Sequence, residues 1–169
     1  MDINQNSQKA ARIKLLLTDV DGVWTDNGVF YGESGELLKR FSIRDGMGVE
    51  RLRKLAGIET GIVTGELSPS VARRAEKLKI TELHLGVTDK LGRLKEIRER
   101  LSIDWDQIAY IGDDVNDLEV MERAGLSACP ADAMAQVSGV VHYHCVAKGG
   151  YGAFREFAEW LIALKNNTI

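Results

Sequence analysis

Ile13-Lys14-Leu15-Leu16-Leu17-Thr18-Asp19-Val20-Asp21-Gly22 reads as a short buried strand that ends in a turn: an apolar run stopped by two carboxylates and a glycine. Asp19 and Asp21 therefore stand at the carboxyl edge of a strand, where open α/β sheets bind their ligands. On the N-terminal side, residues 1–12 read as a polar lead. On the C-terminal side, Val29-Phe30-Tyr31 and Leu37-Leu38-Lys39-Arg40-Phe41 flank a glycine-bearing turn, which predicts a β-hairpin at about 27–41 projecting from the body.

From Asp45 the pattern switches to alternating helices and strands. Helices are expected at Met47–Leu55, Pro69–Leu78, Lys90–Leu101, Val115–Ala124 and Gly152–Leu164, and strands at Thr60–Val63, Leu83–Leu85, Ile108–Ile111, Leu126–Ala128 and Val140–Tyr143. Ser68 before Pro69 supplies an N-cap and a proline at the first helical position. This order predicts a single domain, residues 13–165, built on a Rossmann-like, doubly wound parallel sheet with helices on both faces.

A chain of 169 residues can bury a core without disulfides, and the net charge of −3 provides no basic field for nucleic acid. Cys129 and Cys145 lack the spacing of a zinc site. The N-terminus lacks the apolar run of a signal peptide, and no stretch approaches the roughly 18 consecutive apolar residues of a membrane span. A cytoplasmic location, with no membrane partner, is expected.

Four polar sites each follow a predicted strand: Asp19 with Asp21, Thr64-Gly65, Lys90, and Gly112-Asp113-Asp114 with Asp117. A doubly wound sheet brings them together. They would supply carboxylates for a divalent cation, a hydroxyl and amides for phosphate oxygens, and one ammonium to balance charge. That set suits a Mg²⁺-dependent phosphatase in which Asp19 attacks phosphorus and forms an aspartyl-phosphate. Asp21 would protonate the leaving alkoxide and then take a proton from water. Asp19, Asp21 (through its carbonyl) and Asp113 are the expected metal ligands, with Asp114 and Asp117 supporting them.

Asp19-Val20-Asp21-Gly22-Val23, Thr64-Gly65, Lys90 and Gly112-Asp113-Asp114-Val115-Asn116-Asp117 resemble, in order, the four motifs of the haloacid dehalogenase phosphatases. Trp24-Thr25-Asp26, Phe41-Ser42-Ile43-Arg44-Asp45-Gly46 and Lys148-Gly149-Gly150-Tyr151-Gly152-Ala153-Phe154-Arg155-Glu156 are similar to the capless branch acting on 3-deoxy-ulosonate sugar phosphates. The resemblance implies 3-deoxy-D-manno-octulosonate 8-phosphate as substrate, in lipopolysaccharide synthesis. It also implies a homotetramer whose hairpins form a central barrel and whose neighbouring subunits complete each active site. Gly65, Glu66, Lys77, Arg44, Lys148 and Arg155 become the expected substrate contacts. Glu66 and Lys77 resemble the nine-carbon branch, which hydrolyses a 3-deoxy-nonulosonate 9-phosphate, whereas Arg44-Asp45-Gly46 resembles the eight-carbon one.

Blander readings compete at several positions. A non-catalytic assembly module on the same fold is the alternative of another class, and retention of Asp21 argues against it. Asp26 and Asn27 suit a turn, Asn116 suits a helix cap, and His142 and His144 suit one ordinary strand face. Phe30, Tyr31 and Phe41 are read as packing, Trp24 as a sugar platform.

Overall fold

The computed structural model describes residues 3–167. Six strands form one parallel sheet: β1 (Leu15–Thr18), β4 (Glu59–Val63), β5 (Glu82–His84), β6 (Ile108–Ile111), β7 (Leu126–Cys129) and β8 (Tyr143–His144). β2 (Val29–Gly32) and β3 (Gly35–Lys39) pair antiparallel as the predicted hairpin. The spatial order β5-β4-β1-β6-β7-β8 reverses direction between β1 and β6. Such a reversal opens a crevice beyond the carboxyl ends of the two strands, and Asp19 and Asp113 stand on its two sides.

Strand β1 runs through the middle because every residue in it is buried. Successive side chains point to opposite faces of a strand, so Leu16 enters one core and Leu15 and Leu17 the other. The first core gathers Val20, Trp24, Val49, Phe154 and Phe157 under α1 (Ile3–Arg12), α2 (Ile43–Arg51), α3 (Pro69–Leu78) and α7 (Ala153–Lys165). The second gathers Val63, Leu94, Ile97, Tyr110 and Val120 under α4 (Lys90–Leu101) and α5 (Leu118–Arg123). A short α6 (Ala135–Ser138) precedes β8.

Local chemistry sets the helix starts. Ser68 Oγ accepts from the Val71 amide with Pro69 behind it, and Asp89 accepts from the Gly92 amide, which fixes Lys90 as the first residue of α4. Ser42 caps α2 at Ile43, four residues earlier than periodicity placed it, and a π turn, Leu52–Ala56, carries that helix on to Gly57. The polar lead is largely helical: α1 buries Asn6 and Ala10, and Lys9 and Arg12 lie in its last turn, where cations oppose the helix dipole. The last strand begins at Tyr143, not Val140, because the preceding residues are spent on a turn and on the His142 amide donating to the Ser127 carbonyl. No helix among the described residues is long and apolar enough to cross a membrane.

Candidate active site

Asp19 follows β1, and its carboxylate is held at both ends. Oδ1 accepts from the Val20 amide at 2.7 Å, and Oδ2 lies 2.9 Å from Lys90 Nζ. Lys90 Nζ also donates to Asp117 Oδ1 at 2.7 Å, so one buried ammonium bridges two carboxylates. Asp117 accepts further from the Tyr110 hydroxyl at 2.6 Å and from the Asp113 amide at 3.2 Å. Its two oxygens are thereby occupied by protein donors.

Burial and the negative charge of Asp117 push the Asp19 carboxyl up to about 6, against the pull of Lys90 and the Val20 amide. Burial pushes Asp113 up to about 7; the Asn27 amide opposes it, and Asp19, Asp117 and Asp114 add to it. Burial lowers the Lys90 ammonium, but Asp19 and Asp117 outweigh it and raise the group above its ordinary value. The centre carries more negative charge than its one lysine neutralises, the condition in which a divalent cation binds.

Oxygen atoms of Asp19, Asp113 and Asp117 lie within 4.8 Å of one another. Gly22 has φ +76°, and a Cβ there would collide with the Asp113 carboxylate, so the turn after β1 must be glycine for Asp113 to reach the crevice. Asp19 and Asp113 face an open cleft, whereas Asp117 is fully buried and positions Lys90 and the Asp113 amide. Asp21 lines the same cleft, and its carboxylate pairs with Lys39 at 2.6–2.7 Å.

The cleft, about 170 Å³, is lined by Asp19, Asp21, Asn27, Thr64, Gly65 and Glu66 from one side and Asp113, Asp114 and Asn116 from the other. By its sequence Asn27 suits a turn. It does turn the chain, at φ 62°, but its side chain also donates to Asp113 Oδ2 at 3.3 Å. Asparagine tolerates positive φ, so the same residue serves both purposes. Lys39, like Asn27, meets the site only in the fold, since a lysine ending a hairpin strand carries no motif.

Of the six expected substrate contacts, Gly65 and Glu66 line the cleft. The other four do not line it. Arg44 is exposed on the first turn of α2, and Lys148 is exposed on the loop before α7. Lys77 borders a separate depression with Ile43 and Met47, and Arg155 pairs with Glu159. Gly149 and Gly150 hold the Lys148 loop against the backbone of Gly22 and Thr25, with no space for a Cβ at either position. Trp24 is no platform: it is 1% exposed, donates to Thr18 Oγ1 at 3.0 Å and packs 4.5 Å from the Phe154 ring. His142 is held by Ser127 and Lys9, an ordinary structural setting.

A haloacid dehalogenase-like hydrolase family model matches residues 66–148. The 3-deoxy-D-manno-octulosonate 8-phosphate phosphatase KdsC of Yersinia pestis is 41% identical over 155 residues, covering 92% of this chain and 82% of that protein. The chain belongs to the 3-deoxy-D-manno-octulosonate 8-phosphate phosphatase family. Within that family, the solved phosphatase from Moraxella catarrhalis, in complex with magnesium ion, phosphate ion and a KDO molecule, aligns with TM-score 0.92 at 37% identity, covering 98% of this chain and 95% of its own. The cobalt-bound phosphatase from Haemophilus influenzae aligns with TM-score 0.90 at 36% identity, covering 94% and 92%. A phosphatase family on this fold accounts for the crevice being lined by carboxylates and a threonine, with a buried lysine held behind Asp19.

Proposed function

We propose that this chain is a Mg²⁺-dependent phosphatase that hydrolyses 3-deoxy-D-manno-octulosonate 8-phosphate through an aspartyl-phosphate on Asp19. The observation that carries the reading is the meeting of Asp19, Thr64 and Asp113 around one cleft, with Lys90 paired to Asp19 beneath it, in a chain of this family. The donor set fits the metal: hard carboxylate oxygens, crowded and under-neutralised, with open space in front. Asp19, Asp113 and the Asp21 carbonyl would hold it, with Asp114 and Asp117 behind them. When bound, Mg²⁺ supplies positive charge against the phosphoryl oxygens, so that an anionic nucleophile can approach.

Asp19 attacks phosphorus and the bond from phosphorus to the substrate's terminal oxygen breaks. Asp21 delivers a proton to that oxygen as it leaves. Water then attacks the phosphorus of the aspartyl-phosphate and Asp21 takes its proton. The bond to Asp19 breaks, and inorganic phosphate departs. The Thr64 hydroxyl, loop amides beside Gly65 and the Lys90 ammonium hold the phosphoryl oxygens, the groups on which negative charge accumulates.

A cleft of about 170 Å³ is smaller than the roughly 300–1,000 Å³ of ordinary ligand sites, so it suits the phosphoryl end and leaves the sugar uncovered. Phe30, Tyr31, Leu37 and Leu38 are each at least half exposed on the hairpin. A homotetramer joined through these hairpins, with Arg44, Lys77, Lys148 or Arg155 of one subunit facing the sugar of another, is part of the proposal. So is a cytoplasmic location. Steady-state rates with Mg²⁺ on the eight-carbon and nine-carbon substrates test the reading. A kcat/KM at least about tenfold higher on the eight-carbon substrate, ~1.4 kcal/mol of transition-state discrimination, is expected. Equal and poor values on both would overturn it.

A further inference from the structure

The hairpin strand β3 reverses the ordinary partition of side chains. Leu37 and Leu38 are 58% and 50% exposed, while the next residue, Lys39, has a side chain wholly shielded from solvent. An ammonium without water is costly unless anions surround it. Lys39 Nζ has them: Asp21 Oδ1 at 2.7 Å, Asp21 Oδ2 at 2.6 Å and Glu36 Oε2 at 3.7 Å. Glu36 is fixed in turn by the Ser68 hydroxyl at 2.5 Å, the same hydroxyl that caps α3. Thr25 Oγ1 donates to Asp21 Oδ1 at 3.2 Å from the other side.

Asp21 is thus gripped from behind, through both oxygens, yet keeps 23% of its side chain exposed and lines the cleft. That is the arrangement a proton-transfer group needs: a fixed carboxylate with one open approach. The grip comes from the hairpin. On the opposite flank, Arg40 pairs with Asp26 at 2.9 Å and stacks 4.3 Å over the Tyr151 ring, which pins the end of β3 beside the loop before α7.

We infer that Lys39 is a positioning residue for Asp21, so that the seating of the hairpin sets how well the subunit transfers protons at its own active site. The inference rests on the proposed acid/base role of Asp21. The Lys39 side chain is shielded from solvent and does not line the cleft, so its loss acts on turnover and leaves binding nearly unchanged.

The test is a cycle of Lys39→Met, Asp21→Asn and the double variant at saturating Mg²⁺, read as kcat and KM beside oligomeric state and melting temperature. General acid-base groups contribute about 10²–10⁴-fold, so Lys39→Met is expected to lower kcat by about 10²-fold with KM within about threefold. Added to Asp21→Asn it is expected to cost less than about twofold more, because it acts through the residue already removed. Lys39→Arg, which keeps the charge, is expected to recover at least about a tenth of the wild-type kcat. A Lys39→Met kcat within about threefold of wild type overturns the inference, as does a double variant in which the two losses multiply. Should Lys39→Met not fold, Lys39→Gln, which also removes the charge, with and without Asp21→Asn decides by the same criterion. Full activity in Asp21→Asn alone would overturn the acid/base role itself, a result separable from any failure at Lys39.

Discussion

Asp19 and Asp45 are both buried carboxylates whose ionisation is disfavoured, and only one sits in the cleft. Asp45, fully buried in α2, accepts the Arg155 amide with Oδ1 and has no partner for Oδ2. Burial pushes it up to about 6, with the Arg155 amide and Arg74 opposing. A carboxyl raised in the folded state binds more protons folded than unfolded, so stability is lost as pH rises through about 4 to 6 and stays lost above. Asp45→Asn removes the buried charge and keeps an acceptor for the amide. It is expected to gain up to about 2 kcal/mol at pH 8, with the gain vanishing at pH 4, by denaturant titration at both values. An equal effect at the two pH values would contradict the assignment. Asp19 and Asp113, raised to about 6 and about 7, must lose protons before a cation binds. Mg²⁺ affinity of the free enzyme, measured calorimetrically, should therefore fall as pH drops from 8 to 6, with proton release on binding.

Among the secondary-structure elements, the junction of β4 and α3 joins the site to the fold. Thr64 and Glu66 end the strand side, and Ser68 caps the helix while holding Glu36 of the hairpin. Ser68→Ala is expected to cost about 1–2 kcal/mol in denaturant unfolding, since one cap and one hydrogen bond to a carboxylate are lost together. The helix and strand periods made most elements readable: α3, α4 and β6 match the expected limits residue for residue. The elements misread were those whose cause is tertiary. Helix α1 is polar on most of its surface and is stabilised by burying Ala10 and Asn6, which no local pattern announces. The Val115–Ala124 helix divides into a 3-10 turn and α5 because Asp117 must point back at Lys90 and Tyr110.

In the molecule as a whole, the motif residues Asp19, Thr64, Lys90, Asp113 and Asp117 were legible because a parallel sheet returns every strand's carboxyl end to one edge. Asn27, Lys39 and the burial of Trp24 were not, since each depends on which distant segment packs against it: Asp113, Asp21 and Phe154. Arg44, Lys77, Lys148 and Arg155 lie apart from the cleft, since no strand end carries them to it. Replacing Tyr31 and Leu38 together by glutamate places charge on the exposed hairpin face. In sedimentation it should shift the protein to smaller species, and kcat/KM for the sugar phosphate should fall by more than about tenfold as the proposed shared sites open.

The mechanism stands on Asp19 becoming phosphorylated during turnover. Acid quench of the enzyme within one turnover of 3-deoxy-D-manno-octulosonate 8-phosphate with Mg²⁺, followed by peptide mass spectrometry, observes this directly. The expected result is one phosphoryl group on Asp19, accumulating further in Asp21→Asn and absent from Asp19→Asn, which releases no phosphate. Phosphate release by Asp19→Asn at the wild-type rate, or a phosphoryl group on a different residue, would contradict it.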